Sequence, residues 1–391
     1  MRRFSAQYAI TCSGPVLKRP VITVDDEGAI IAVHDTGGIL EESYSIEFHN
    51  GIIIPGFVNS HCHLELSHMK GITGRSKGLS SFLGDIGKMR AEEESKILKS
   101  AIDEDRNMFS SGINLCADIC NTAQTFGIKQ TSRISYINFL EVFGIDPEKA
   151  EKRISDIRKV ADAANDASLP YWFVPHTVYS LSPRLFRLLR DLSSENRVTS
   201  LHFMESLAEK ELVESHSGPL MDYYLKSGFI TSGFDTVRSH SEAVLNEITQ
   251  HGNLILVHNT FVTSELIRDV SKRGSLYWCL CPASNLYIEN HLPPADLLVS
   301  KACNITIGTD SLASNDKLDI LAELKLLHNK FPHLALETLI SWATINGARA
   351  LMMENKFGSI EPGKSPGLLL LRDTDLQNMR LLPETSITRL I

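Results

Sequence analysis

The sequence predicts an α/β protein: a (β/α)8 TIM barrel carrying a small β-sandwich domain formed by both termini. Three observations lead there. Eight short apolar runs alternate with helical stretches through the middle of the chain, the pattern that yields a parallel sheet. Between His63 and Asp310 these units average about 35 residues, and a strand-helix-strand unit needs ~30 or more. Both ends of the chain read instead as strands and turns.

At the N-terminus, Tyr8-Ala9-Ile10-Thr11, Val21-Ile22-Thr23-Val24 and Ala29-Ile30-Ile31-Ala32-Val33 are apolar or alternating, and Asp25-Asp26-Glu27-Gly28 is a hairpin signal. The barrel strands are expected at residues 56–59, 113–117, 136–140, 172–174, 199–203, 254–257, 276–280 and 305–308. Helices are expected over 91–109, 147–164 and 316–329, among others. At the C-terminus, Gly363-Lys364-Ser365-Pro366-Gly367 leads into Leu368 to Leu371, which Arg372-Asp373 ends. The resulting domain division is residues 1–55 with 355–391 as the small domain and 56–354 as the barrel. A doubly wound sheet is the alternative, but the chain has neither G-x-G-x-x-G nor a Walker motif.

Composition narrows the function. The chain has 391 residues, 43% hydrophobic and 22% charged, with a net charge of −8. That balance argues against a nucleic-acid partner, since phosphate binding needs clustered positive charge. No apolar run approaches the ~18 residues of a membrane span, and Met1-Arg2-Arg3 is not followed by a signal-peptide core. A cytoplasmic protein with no membrane partner is expected. Seven cysteines occur without a C-x-x-C pair, which reads as reduced core cysteines and not as a zinc ribbon or redox motif.

The chemistry concentrates at strand ends. His61-Cys62-His63 ends the first barrel strand, taken as continuous with the run Ile52 to Val58. Residues i and i+2 of a strand share a face, so both imidazoles can reach one ion. His202 ends the fifth strand, His258 the sixth and Asp310 the eighth. Singly, each has a plainer explanation: a hydrogen-bonded core histidine, or an aspartate capping a helix. Together they place metal-ligand types at four strand ends, where barrel enzymes carry their chemistry. Nitrogen and carboxylate donors suit Zn²⁺, with Fe²⁺ as the alternative. An ion there would lower the pKa of a bound water. The fourth strand, Trp172 to His176, offers no lysine to bridge two ions, so one divalent metal is expected. Glu205 comes three residues after His202. It is either a proton carrier beside the metal or a solvated glutamate at a helix start.

These motifs resemble the amidohydrolase superfamily, in the branch that holds guanine deaminase, triazine hydrolases and adenosyl-compound deaminases. The resemblance rests on Pro55-Gly56-Phe57-Val58-Asn59-Ser60-His61-Cys62-His63, His202-Phe203-Met204-Glu205, Val257-His258, Cys281-Pro282-Ala283-Ser284-Asn285-Leu286 and Gly308-Thr309-Asp310-Ser311. Asn346 to Leu351 and Gly358 to Lys364 match as well, so it spans nearly the whole chain. It implies that His61, His63, His202 and Asp310 bind the metal, that Glu205 shuttles protons, that His258 polarises the water and that Asp310 doubles as base. It also implies that His176 contacts substrate, although Thr177-Val178 replaces a usual Ala-Pro pair there. His61 to Ser67 looks most like aminodeoxyfutalosine deaminases, in which case Glu65 faces the substrate; otherwise Glu65 is a surface residue of the loop.

The expected function is hydrolytic deamination of a 6-aminopurine nucleoside such as aminodeoxyfutalosine, a small-molecule substrate. The alternatives are a guanine, pterin or triazine aminohydrolase or chlorohydrolase, or a metal-binding protein without turnover. A homodimer is expected. Specificity is expected in the loops Leu64 to Lys88 and Glu205 to Ser241, the second long enough to form a lid or a dimer contact.

Overall fold

Each of the eight apolar runs in the middle of the chain is a strand in the computed structural model, which describes residues 1–41, 45–230 and 239–391. Phe57–Cys62, Ile113–Cys120, Ser135–Val142 and Tyr171–Pro175 form one four-stranded sheet. Val198–Phe203, Asn253–His258, Leu276–Leu280 and Asn304–Ile307 form a second. Pairing within each is parallel and in chain order. The sheets meet through isolated parallel bridges, Cys62 with Asp310 and Thr177 with His202. At these two junctions the His61 carbonyl accepts the Asp310 N–H at 3.1 Å, and the His176 carbonyl accepts the His202 N–H at 2.9 Å. Both junctions lie at the C-terminal ends of the strands.

Helices cover the connections where the apolar spacing expects them, at Glu94–Ser110, Ala150–Asp166 and Ile320–Lys330. Their starts fall a few residues later than expected. Asp319, whose side chain accepts the Ala322 N–H at 3.2 Å, sets the start of the last.

The termini meet in one seven-stranded sheet. Its order is Ser386–Arg389, Leu368–Arg372, Glu47–Pro55, Arg2–Ala9, Val21–Val24 and Ile30–His34, with Leu17–Lys18 also paired to Arg2–Ala9. Two-residue alternation splits its side chains between two cores. Ile53, Leu368 and Leu370 face Phe4, Ile22 and Val24. Ile52, Ile54, Leu369 and Leu371 face the main core beside Phe57 and Ile113. This sheet is thereby fastened to the parallel strands.

Two expectations need correction. The run Ile52 to Val58 is not one strand: Glu47–Pro55 belongs to the terminal sheet and Phe57–Cys62 to the parallel one. Gly56 makes the break, because a Cβ there would lie 2.4 Å from the Pro366 carbonyl oxygen and from Asn114 Oδ1. The first strand also runs over Arg2–Ala9, not Tyr8 to Thr11. Its arginines are tolerated at the exposed end, where Arg2 pairs with Glu47 at 2.9 Å and lies over the Phe4 ring. The seven cysteines are all free, and five of them are buried. Among the described residues no helix is long and apolar enough to cross a membrane. Of the long connection between Glu205 and Ser241, residues 231–238 lie outside the described residues.

Candidate active site

Four donor atoms from strand ends converge. His61 Nε2 lies 3.1 Å from His63 Nε2, and His63 Nε2 lies 3.4 Å from His202 Nε2. Asp310 Oδ1 is 3.3 Å from His63 Nε2 and 3.6 Å from His61 Nε2. Donors at ~2.1 Å from a tetrahedral ion stand roughly 3.4 Å apart. These four separations match those between neighbouring donors around one ion of that size. His258 adds a third imidazole to His61 and His202, with donor atoms within 4.8 Å of one another.

Local structure aims each group. His61 is the fifth residue of its strand, and its carbonyl accepts the N–H groups of Thr309 and Asp310. Asn59 accepts the Thr309 N–H at 3.1 Å and donates to the Thr309 hydroxyl at 2.8 Å, which holds the first and eighth strands together. Gly308 is required at this seam, where a Cβ would meet His61 Cβ at 2.8 Å and Cys279 Sγ at 2.9 Å. Asp310 and His258 adopt φ of +58° and +77°, a left-handed conformation that costs non-glycine residues energy and that the surrounding structure must hold in place. Asp310 Oδ2 accepts from the hydroxyls of Ser284 and Ser314, both at 2.6 Å, which turns Oδ1 towards the histidines.

Burial sets the protonation. It pushes His63 down to about 4, with Asp310 opposing, and His258 down to about 3. It also lowers His202 well below the usual histidine range, ahead of His176 and His61. Ligation of a metal by His63 and His202 requires their neutral imidazoles. Burial works against ionisation of Asp310, but a hydrogen bond from His61 and the nearby imidazoles outweigh it, keeping Asp310 ionised. Glu205 goes the other way. Burial, then the charges of Asp310 and Glu209, raise its pKa well above the carboxylate range. Its Oε1 is 3.7 Å from His258 Nε2, and that ring nitrogen is buried without a hydrogen bond. Glu205 is only 6% exposed, so it is not a solvated residue at a helix start.

The other expected residues divide. His176 sits beside the cluster, its ring 4.5 Å from that of His202, with Nδ1 2.8 Å from Glu141 Oε1. Glu65 is buried, not on the surface. Its Oε1 accepts from Arg90 Nη2 at 2.9 Å, and its Oε2 accepts from the amides of Asn121 and Thr122 and from the Thr122 hydroxyl.

The expected set leaves out Glu141, which lies near the end of the third strand and holds His176. Burial opposes its charge, but His176 and then His202 outweigh that and hold it below the usual carboxylate range. A carboxylate inside Phe139-Leu140-Glu141-Val142 was the available signal. Asp118 is also missing from it: its Oδ1 accepts the Leu64 N–H at 2.7 Å and its Oδ2 pairs with the fully buried Lys129 at 2.5 Å. That pair anchors the turn after His63.

Residues 52–387 match the model of the amidohydrolase family. A 5'-deoxyadenosine deaminase of Methanobrevibacter smithii is 28% identical over 361 residues, covering 86% of this chain and 75% of that protein. An adenosine deaminase of Helicobacter pylori is 27% identical over 338 residues, covering 82% and 79%. The crystal structure of Helicobacter pylori aminofutalosine deaminase with methylthio-coformycin shares the fold, with a TM-score of 0.79 at 22% identity over 95% of this chain and 92% of that one.

Proposed function

The chain belongs to the amidohydrolase family, and from that premise we propose that it hydrolytically deaminates a 6-aminopurine nucleoside. The carrying observation is the pairing of the four-donor cluster with a buried Glu205 opposite His258. A site that only held a metal would need neither of the last two residues.

In this reading His61, His63, His202 and Asp310 hold one divalent ion, with Zn²⁺ preferred by the nitrogen-rich donor set and Fe²⁺ as the alternative. When bound, the ion supplies Lewis acidity that makes water acidic enough to ionise near neutral pH. Asp310 accepts the water's proton, and its two serine partners hold Oδ2 so that the carboxylate keeps its orientation. Glu205, whose burial favours its protonated form, delivers a proton to the ring nitrogen beside the aminated carbon. That carbon takes the hydroxyl of water, the exocyclic amine leaves as ammonia with the proton passed on by Asp310, and the remaining hydroxyl proton returns to Glu205 as the 6-oxo group forms. His258 stays neutral and orients the attacking oxygen. His176, fixed by Glu141, contacts the substrate. Glu65, held by Arg90 and the Asn121–Thr122 turn, faces the substrate.

An adenine nucleoside is supported by relatives that deaminate 5'-deoxyadenosine and adenosine. Aminodeoxyfutalosine is included because the first motif resembles its deaminases. We read 56–354 as a closed barrel holding the site, and 1–55 with 355–391 as a small β-sandwich domain. The test is ammonia release from adenosine, 5'-deoxyadenosine, methylthioadenosine and aminodeoxyfutalosine by zinc-loaded protein. Release from guanine or a pterin alone would keep the mechanism and overturn the substrate.

A further inference from the structure

Glu209 stands four residues beyond Glu205 and is 1% exposed. Its Oε2 accepts the Glu205 N–H at 2.9 Å and its Oε1 the Met204 N–H at 3.0 Å. Met204 has a φ of +49°, a conformation that its surroundings must hold in place. The same Oε1 lies 2.8 Å from His240 Nε2. His240 is 3% exposed, and its ring packs edge-on against Phe203 at 5.6 Å. It opens the short helix His240–Glu242, on the far side of the long connection that leads to Asn253–His258.

Ser206 caps the helix Leu207–Ser215, and Glu209 occupies the third helical position. In an ordinary capping box a glutamate there accepts the N–H of the capping residue itself. Here it reaches past Ser206 to the two amides before it, and these belong to the turn that carries Glu205. Helix capping alone does not account for that reach, nor for a buried histidine from a distant segment bonded to the same oxygen.

We propose that Glu209 and His240 are a positioning pair: Glu209 fixes the Met204–Glu205 backbone, and His240 locks Glu209. The Glu205 carboxyl is thereby kept opposite His258. The proposal rests on the reading of Glu205 as the proton carrier.

The test uses full-length zinc-loaded protein, with 5'-deoxyadenosine and adenosine as probes. Glu209→Gln replaces one accepting oxygen with an amino group. His240→Phe removes the donor, and His240→Gln keeps one at similar reach. Because small misplacement of a catalytic group is costly, Glu209→Gln and His240→Phe are expected to lower kcat by about tenfold or more, with KM within about twofold. Metal content should be unchanged, and His240→Gln should recover most of the loss. Amide hydrogen exchange at Met204 and Glu205 should speed up in both disabling variants, a readout that needs no substrate. Unchanged exchange at those amides, or full kcat in both variants while Glu205→Gln is inactive, overturns the positioning role alone. Full turnover by Glu205→Gln overturns the proton-carrier reading and the positioning role with it. If Glu209→Gln does not fold, the two His240 variants decide.

Discussion

His202 donates from Nδ1 to the carbonyl oxygen of His176 at 3.0 Å, and the same oxygen accepts the His202 backbone N–H at 2.9 Å. One carbonyl thus joins the fourth strand to the fifth and fixes the tautomer of the ring. With its proton on Nδ1, the neutral imidazole can present only a lone pair at Nε2, where His63 and His61 also converge. Partners of this kind orient metal-binding histidines and raise their basicity.

The first prediction concerns metal retention. His61→Ala and His63→Ala should each leave the protein without tightly held metal. The double variant Ser284→Ala/Ser314→Ala, which frees Asp310 Oδ2 without touching a donor atom, should weaken zinc binding by ~10–100-fold. Competition with a chromophoric chelator measures this. Wild-type affinity in the serine variant would mean that Asp310 needs no such support.

Glu205→Gln should keep the metal and lose turnover by ~10²–10⁴-fold, the usual effect of removing a general acid-base group. The amide preserves shape but carries no transferable proton. Steady-state ammonia release beside elemental analysis tests this, and near-normal turnover would sink the assignment.

The buried imidazoles give the metal-free protein a pH dependence. His63 and His258, pushed down to about 4 and about 3 chiefly by burial, stay neutral in the folded chain. In the unfolded chain they take up protons below about pH 6.5. Stability from this source is therefore full above that pH and is lost as pH falls towards 4. Thermal unfolding of chelator-treated protein should show a Tm that falls more steeply between about pH 7 and pH 5 in the wild type than in His63→Asn/His258→Asn, which lacks both imidazoles. An equal or shallower fall in the wild type would contradict the sign.

Much of this site is legible in the sequence because two signals coincide: apolar runs locate the strands, and ligand-type residues stand at their ends. His61, His63, His202, His258 and Asp310 are found that way. Glu141, Asp118 and Glu209 are harder to find. Each is a carboxylate whose importance comes from a partner distant in sequence or outside the motif: His176 for Glu141, Lys129 for Asp118 and His240 for Glu209. The strand break at Gly56 is hidden for a similar reason, since it depends on Pro366 and Asn114 lying close by. The early start of the first strand is missed because Arg2 and Arg3 disguise an otherwise alternating run.

Lys129 offers a test of that hidden layer. Both Lys129 and Asp118 are fully buried, and Asp118 holds the lysine charged against the effect of burial. Lys129→Met leaves Asp118 as an unpaired buried charge and should cost ~3–5 kcal/mol. Asp118→Asn combined with Lys129→Met should recover part of that loss. Urea unfolding of the single and double variants measures both, and a Lys129→Met midpoint equal to wild type would remove the pair's structural role.

The most direct measurement is mass spectrometry of 5'-deoxyadenosine incubated with zinc-loaded protein in heavy-oxygen water. A 6-oxo product carrying one solvent oxygen and equimolar ammonia are expected, with neither in the Glu205→Gln control. Metal-loaded protein that leaves 5'-deoxyadenosine, adenosine, methylthioadenosine and aminodeoxyfutalosine all unchanged would overturn the assignment of this site as an adenine nucleoside deaminase.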